Sequence, residues 1–354
     1  MKKFKKRISI FTIAIMLMAV MIGCGSATEE EQGDNVLSDN IVLTETGEVL
    51  VVPQPTDAAV EETVVEEQEK SEQEVEVAKE VEDDSPHMQL EEPYQEQVIT
   101  EEDQTEPTGS ELQIVFLGDS IFDNNRDGTG VPYLTAEQCE ADVYNLAIGG
   151  TSASLEPGES VWTEDWDSRA LVSVVKAMRG EVPTSNFEGS RTQEILDNKN
   201  ISWEDTDYFI VEYGINDFFR AVPLDNHDDY YDKHTYAGAL RYAVSNLQEV
   251  APDATIIMCG PHYAQFYNNQ GQFIGDSNTL NTGYGTLFDY KGICQYVAKE
   301  YQVEFLDAYF DLGIDGYTAE EYLEDGVHLT AEGRQVYADV LAKMILNIEE
   351  TKNN

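Results

Sequence analysis

Short apolar runs alternate with stretches of helical periodicity along the last two-thirds of the chain. The runs that predict strands are Leu112–Leu117, the segment around Val143, Tyr208–Tyr213, Thr255–Cys259 and Val303–Leu306. Between them, apolar residues recur at three- and four-residue spacing, which is typical of helices with one buried face. Strands that alternate with helices in this way predict an α/β fold, in which a parallel sheet is covered by helices on both faces. We therefore expect residues 112–354 to form one three-layer α/β/α domain.

Three of the predicted strands end in glycine-containing turns. Gly118-Asp-Ser120 follows the first strand, Gly149-Gly150 ends the second, and Gly214-Ile-Asn-Asp217 follows the third. In open parallel sheets, the ligand crevice lies beyond the carboxyl ends of the strands. We therefore expect Ser120, Gly150 and Asn216 to converge at one edge of the sheet.

A carboxylate and an imidazole stand close together before the last predicted helix, which begins after Thr330. They are Asp325 and His328, three residues apart. An imidazole oriented by an acid is the general-base half of a nucleophilic hydrolase. The spacing therefore favours His328 as a general base and Asp325 as the acid that orients it. Ser120, at the carboxyl end of the first strand, is the expected nucleophile.

These four blocks, in this order, resemble the SGNH (GDSL-type) esterase and lipase family from about Leu112 to the C-terminal helix. The resemblance implies a five-stranded parallel sheet in a flavodoxin-like order. It also aligns Gly150, with Gly149 as a reserve, to the second-block glycine, although Ala147 stands where the family usually has another glycine. An oxyanion needs preorganised donors. The expected donors are the amide N–H groups of Ser120 and Gly150 and the side-chain amide of Asn216.

The expected function is a serine esterase that needs no cofactor or metal and acts on a small-molecule or glycan ester. The reaction we expect is the O-deacetylation of glycans. One alternative is a lipase or lysophospholipase that uses the same triad. Another is a non-catalytic glycan-binding lipoprotein that keeps a hydrolase fold. Asp119 and Asp217 neighbour the site, and we expect both to brace loops by hydrogen bonds.

The first 24 residues are typical of a targeting segment. Five basic residues between Lys2 and Arg7 precede an apolar run from Ile8 to Ile22, which is short for a membrane span of about 20 residues. Gly23-Cys24-Gly25-Ser26 resembles a bacterial lipoprotein cleavage site. We expect lipidation of Cys24 and a lipid-anchored protein on the outer side of the cell membrane. An uncleaved N-terminal anchor is the alternative.

Residues 25–111 differ completely in composition from the segments on either side. They contain 28 Asp and Glu against 2 Lys, with Tyr94 as the only aromatic residue. Such a segment buries too little apolar surface to offset the entropy of ordering it. It is expected to be a disordered acidic stalk.

The predicted catalytic domain is also strongly acidic, with 41 acidic and 14 basic residues in 112–354. A surface of this sign repels phosphate backbones and anionic lipid headgroups. Nucleic acid is therefore not expected as a partner, and contact with the membrane is expected only through the lipid anchor.

Several other residues have chemistry of their own. His262 follows the fourth strand and is expected at the same sheet edge, within reach of substrate. The acidic loop 225–232, in which His227 and His234 flank Asp228–Asp232, leaves a cation site open, although its ligand spacing is irregular. The cysteines Cys139, Cys259 and Cys294 allow at most one disulfide within the domain, and we expect all three to be small buried hydrophobic residues.

Aromatic and amide residues are concentrated in the long segment Pro261–Gly285, and Trp162 and Trp166 lie in another long connection. Together they would suit a wall that binds sugars by stacking and hydrogen bonding. Ordinary packing over the sheet edge is an equally good interpretation.

Overall fold

A computed structural model of the chain describes residues 41–43, 49–51, 110, 112–159 and 168–352. The first of its two units, residues 1–80, contains two short antiparallel strands, β1 (Ile41–Leu43) and β2 (Val49–Val51). The predicted signal segment and most of the predicted stalk lie outside the described residues. The domain boundaries and the disorder of the stalk therefore stay predictions.

The second unit, residues 81–354, contains a five-stranded parallel sheet. The strands described in this unit are β3 (Leu112–Gly118), β4 (Ala141–Asn145), β5 (Tyr208–Glu212), β6 (Thr255–Cys259), β7 (Gln265–Tyr267), β8 (Phe273–Asp276) and β9 (Glu304–Leu306). Strands β7 and β8 form a separate hairpin, and the other five form the sheet. The order across the sheet is β4-β3-β5-β6-β9, and every neighbouring pair is parallel. Counted along the chain, this is the flavodoxin-like order 2-1-3-4-5. The predicted fold class is confirmed.

Helices cover both faces of the sheet. They are α1 (Ser120–Asp123), α2 (Val131–Cys139), α3 (Leu171–Met178), α4 (Arg191–Asp197), α5 (Ile215–Phe219), α6 (Tyr236–Val250), α7 (Leu287–Tyr301), α8 (Ala308–Asp311), α9 (Ala319–Tyr322) and α10 (Ala331–Lys352). Two short 3-10 helices span Thr184–Phe187 and Trp203–Asp205. Among the described residues, no helix combines the length and the apolar character that crossing a membrane requires.

The core is divided by the sheet into two apolar layers. In β3, Val115 and Leu117 belong to the layer that contains α3, α6 and α7, whereas Ile114 and Phe116 belong to the layer that contains α2 and α10. Successive strand residues point to opposite faces, so a strand covered on both sides reads as a continuous apolar run. This burial explains why the strands are visible as unbroken apolar segments in the sequence.

The strand order reverses at β3, which has β4 on one side and β5 on the other. Chains leaving β3 and its neighbours therefore diverge to opposite faces and open a crevice at the carboxyl edge. Gly118 at the end of β3 lies opposite Glu212 at the end of β5. This switch point lies where Ser120, Gly150 and Asn216 were expected to converge.

Threonine side chains cap two of the helices. The hydroxyl of Thr235 accepts a hydrogen bond from the N–H of Gly238 (3.2 Å), and that of Thr330 accepts one from Gly333 (3.1 Å). The antiparallel hairpin β7–β8 was not predicted, because its strands are three and four residues long and the segment was interpreted as a loop.

Candidate active site

Ser120 lies immediately beyond the carboxyl end of β3, as the first residue of the short helix α1. Asp119 caps this helix, since its Oδ1 accepts a hydrogen bond from the N–H of Ile121 at 3.0 Å. The turn is tight because Gly118 has no side chain. A Cβ there would lie 2.7 Å from the ring of Phe122 and 3.2 Å from the carbonyl oxygen of Glu212. The glycine therefore lets the chain bend sharply enough to present Ser120 at the edge.

Ser120, His328 and Asp325 form a continuous hydrogen-bonded chain. Ser120 Oγ lies 2.9 Å from Nε2 of His328, and Nδ1 of His328 lies 2.7 Å from Oδ2 of Asp325. The other carboxylate oxygen of Asp325 accepts from the N–H groups of Val327 (2.9 Å) and His328 (2.8 Å). The carboxylate thus fixes both the ring and the backbone of the histidine.

The protonation states follow from this geometry. Burial alone would raise the pKa of Asp325, but hydrogen bonds and charge from His328, with the N–H bonds, hold it well below its usual range. Asp325 is therefore ionised and keeps the imidazole proton on Nδ1. The lone pair on Nε2 is then directed to the Ser120 hydroxyl, which is the arrangement that a general base requires.

The glycine turn after β4 supplies a backbone donor. Gly149 cannot serve, because its N–H already donates to Oδ2 of Asp123 at 2.6 Å. Gly150 adopts a positive φ of 71°, a position that favours glycine, and a Cβ there would meet nothing within 4 Å. No acceptor among the described residues takes the N–H of Gly150. Of the two candidates, Gly150 is thus the available donor.

Two side chains hold this turn in place. Arg220 donates to the carbonyl oxygen of Gly150 at 2.8 Å and to the hydroxyl of Ser152 at 3.1 Å. Asp217 is fully buried and accepts from the N–H groups of Ala153 (2.9 Å) and Ser154 (3.1 Å). Asp217 thus braces the loop, as expected from the sequence.

Asn216 lies in the helix α5, directly beyond β5, and its side-chain amide faces the same crevice. Nδ2 donates to Oδ2 of Asp119 at 3.0 Å and to the carbonyl oxygen of Thr151 at 3.1 Å. Both amide protons are therefore engaged in this structure. An oxyanion would have to take one of them, and the bond to the neutral Thr151 carbonyl is the weaker to give up, since bonds to charged acceptors are stronger.

Glu212 was not identified from the sequence, although an acid inside the apolar run Tyr208–Tyr213 was a usable signal. It ends β5, is only 1% exposed, and neither carboxyl oxygen receives a hydrogen bond from a donor among the described residues. Burial and the neighbouring Asp119 raise its pKa well above the usual range. A strand that is covered on both faces rarely contains such a group without a partner.

His262 does not contact the crevice, and the expectation that it could touch substrate is wrong. The side chain is 1% exposed, and its Nε2 donates to the carbonyl oxygen of Val327 at 2.9 Å. Burial lowers the pKa of His262 to about 4, so the ring is neutral near pH 7. Its role is to support the loop that carries His328.

The remaining predicted sites have simpler outcomes. Cys139, Cys259 and Cys294 are buried free thiols, as expected of small hydrophobic residues.

In the acidic loop, Asp232 accepts from Asn226 and lies 3.3 Å from Nδ1 of His234. Within residues 112–159 and 168–352, no cluster of three or more His, Cys, Asp or Glu side chains is arranged to hold a metal ion. Cys24, Trp162 and Trp166 lie outside the described residues.

Comparison with protein families gives one match. Residues 116–336, well over half of the chain, match the GDSL-like lipase/acylhydrolase family. The matched range contains Ser120, Gly150, Asn216, Asp325 and His328. No curated protein matches the chain.

Solved structures of similar fold come from several bacteria. A possible lipase from Chitinophaga pinensis is 16% identical, with a TM-score of 0.48 over 68% of this chain and 99% of its own. An acetylxylan esterase from Geobacillus stearothermophilus is 19% identical, with a TM-score of 0.42 over 67% and 95%. A family two carbohydrate esterase from Clostridium thermocellum, in complex with cellohexaose, is 19% identical, with a TM-score of 0.44 over 69% and 66%.

Proposed function

Because this chain belongs to the GDSL-like lipase/acylhydrolase family, we propose that it is a serine esterase that hydrolyses carboxylic esters through Ser120, His328 and Asp325. The observation that carries the proposal is the chain of two hydrogen bonds, 2.9 Å and 2.7 Å long, from Ser120 through His328 to Asp325. A serine with an oriented general base on its hydroxyl is an activated nucleophile.

The reaction begins when Ser120 Oγ attacks the ester carbonyl and Nε2 of His328 takes the hydroxyl proton. Asp325 stabilises the imidazolium that forms, without taking its proton. The tetrahedral intermediate collapses when His328 protonates the leaving alcohol, which gives an acyl-serine. His328 then removes a proton from water, the hydroxide attacks the acyl group, and the carboxylic acid leaves as Ser120 regains its proton.

The negative oxygen of each tetrahedral intermediate is stabilised by three donors in this mechanism. They are the backbone N–H groups of Ser120 and Gly150 and the amide of Asn216. Gly150 contributes because its turn is fixed by Arg220. Asn216 contributes by exchanging its bond to the Thr151 carbonyl for one to the oxyanion, which is stronger because the oxyanion is charged.

We propose an O-acetylated glycan as the substrate. The loop of Asp325 and His328 is flanked by the hairpin β7–β8, whose Tyr267 ring lies against Gly326. Beside it stands Phe273, with the ring centroids 5.9 Å apart and 56% of its surface exposed. Exposed rings beside the loop that carries the acid and the base suit stacking against the apolar face of a sugar.

The substrate proposal predicts a split between small and polymeric esters. Phe273→Ala should raise the KM for acetylated xylan roughly two- to tenfold, the equivalent of ~0.5–1.5 kcal/mol of ring contact, and leave aryl acetate hydrolysis unchanged. Acetate release would be measured for both substrates. The matched control is Phe310→Ala, which removes a ring that is 62% exposed on α8, outside the hairpin. Equal effects of the two variants, or faster turnover of long-chain acyl esters than of acetates, would contradict the glycan proposal, and the second result would favour a lipase.

We also propose that the enzyme is exported and anchored to the outer side of the cell membrane by a lipid on Cys24. The acidic residues 25–111 would then serve as a tether between the lipid and the catalytic domain. Cys24→Ser should move the protein from the membrane fraction to the medium or the soluble fraction, as measured by immunoblot. If the variant stays in the membrane fraction, the N-terminal segment is an uncleaved anchor instead.

A further inference from the structure

We propose that Glu212 is a positioning residue: its protonated carboxyl group donates a hydrogen bond to Asp119, and Asp119 thereby holds the amide of Asn216 in the oxyanion hole. The inference rests on the proposed esterase function, because it assigns a task within that reaction.

The sheet itself brings the two acids together. Glu212 at the end of β5 lies opposite Gly118 of β3, and Asp119 is the next residue after Gly118. Both carboxyl groups are buried, Asp119 completely, and the charge of Asp119 raises the pKa of Glu212. Two ionised carboxylates only accept hydrogen bonds and repel each other in a buried site, so a proton on one of them stabilises the pair.

The proton resides on Glu212. Asp119 already accepts two N–H bonds, from Ile121 and from Asn216, and these favour its ionised form. Glu212 receives no such bond, since neither of its oxygens has a donor partner among the described residues. Burial raises the pKa of Asp119 only to about 6, whereas burial and the charge of Asp119 raise the pKa of Glu212 well above its usual range. Near pH 7 the pair thus carries one charge and one proton.

The surroundings of Glu212 keep it protonated. The titratable side chains that face it from the neighbouring elements are acids or weak acids: Asp119, Asp217, Tyr213, Tyr236, Cys259, Cys294 and Tyr337. The imidazole of His328 interacts with Asp119, and Arg220 with Asp217, one step further away. Ionisation of Glu212 would therefore place a second negative charge in a low-dielectric site.

This arrangement determines the direction of the Asn216 amide. The Oδ2 of Asp119 holds one amide proton, so the other proton points toward the Thr151 carbonyl and the crevice. Without the Glu212 proton, Asp119 loses a donor and is free to rotate toward other donors. The amide of Asn216 would then lose its fixed orientation, and a donor that is not preorganised stabilises the oxyanion less.

The test compares three variants with the wild-type protein, using a soluble aryl acetate. Asn216→Ala sets the full loss of the donor, roughly 10²- to 10³-fold in kcat with KM nearly unchanged. Glu212→Met, of similar size but unable to donate, should lower kcat by roughly 10- to 100-fold at unchanged KM, a fraction of the same loss. Glu212→Gln donates an N–H to Asp119 and should restore kcat to within about threefold of wild type.

A variant that lowers stability away from the site separates positioning from folding. Leu247→Ala creates a cavity in α6 and should lower the melting temperature without lowering the kcat of the folded enzyme. Wild-type kcat in Glu212→Met, or equal losses in Glu212→Met and Glu212→Gln, would overturn the inference. Failure of the esterase function looks different, since a fluorophosphonate would then leave the wild-type Ser120 unlabelled.

Thermal stability provides a second measurement that does not depend on the folding of Glu212→Met. Because the pKa of Glu212 is raised in the folded state, its contribution to stability is full below the unfolded pKa and is lost as pH rises toward the folded pKa. Glutamine does not titrate. The melting temperature of Glu212→Gln, relative to wild type, should therefore increase from pH 5 to pH 8. A difference independent of pH would show that Glu212 is ionised in the folded protein and would overturn the inference.

Discussion

Ser120→Ala is expected to lower kcat for ester hydrolysis by about 10⁵- to 10⁶-fold, the scale of nucleophile loss in serine hydrolases. Only the hydroxyl is removed, and with it the hydrogen bond to His328. The melting temperature should therefore stay within a few degrees of wild type. Initial rates on an aryl acetate and a fluorophosphonate labelling assay, on the same preparation, measure the effect.

The experiment must be controlled for trace contamination by a host esterase. The Ser120→Ala protein should be purified in parallel with the wild type and with a blank preparation. Any residual hydrolysis rate, and the fraction of it that the fluorophosphonate inhibits, should equal those of the blank preparation. More than about 1% of wild-type activity that co-purifies with the variant would show that Ser120 is not the nucleophile.

His328→Ala is expected to have the second-largest effect, close to that of Ser120→Ala. Members of a triad act as a unit, so the double variant should be no slower than either single variant. The hydroxyl of Ser120 would remain, but its only base would be water. The kcat values of the two single variants and the double variant test this non-additivity directly.

His262→Ala is the matched control, because it removes an imidazole from the same loop region. His262 contacts the Val327 carbonyl and not Ser120. Its loss should therefore lower the melting temperature and leave kcat nearly unchanged. A multiplicative loss in the Ser120 and His328 double variant, or a larger kcat loss in His262→Ala than in His328→Ala, would mean that the base is assigned wrongly.

The sequence predicted the parts of the fold that local patterns determine. Strands such as Leu112–Leu117 are buried on both faces and read as apolar runs, and caps such as Thr235 are set by hydrogen bonds within one turn. The meeting of Ser120 with His328 was also predictable, because parallel strands bring their carboxyl ends to one edge and Asp325 marks its histidine by spacing.

Contacts between distant segments were not predictable in the same way. The pairing of Glu212 with Asp119 depends on the register of β5 against β3, which one sequence does not specify. His262 was placed at the correct edge, but its burial depends on the Val327 carbonyl, 65 residues further along the chain. The engagement of both amide protons of Asn216 likewise depends on Thr151 in another loop.

The hairpin β7–β8 has a consequence for anyone who would redesign this protein. The N–H of Gln265 donates to the carbonyl oxygen of Gly326 at 2.7 Å, and a Cβ on Gly326 would lie 2.3 Å from the carbonyl oxygen of Gln265. The hairpin proposed to select the substrate thus also packs against the loop that positions the acid and the base. Grafting a foreign hairpin to change specificity will disturb proton transfer, unless Gln265 and Gly326 are transplanted as one block.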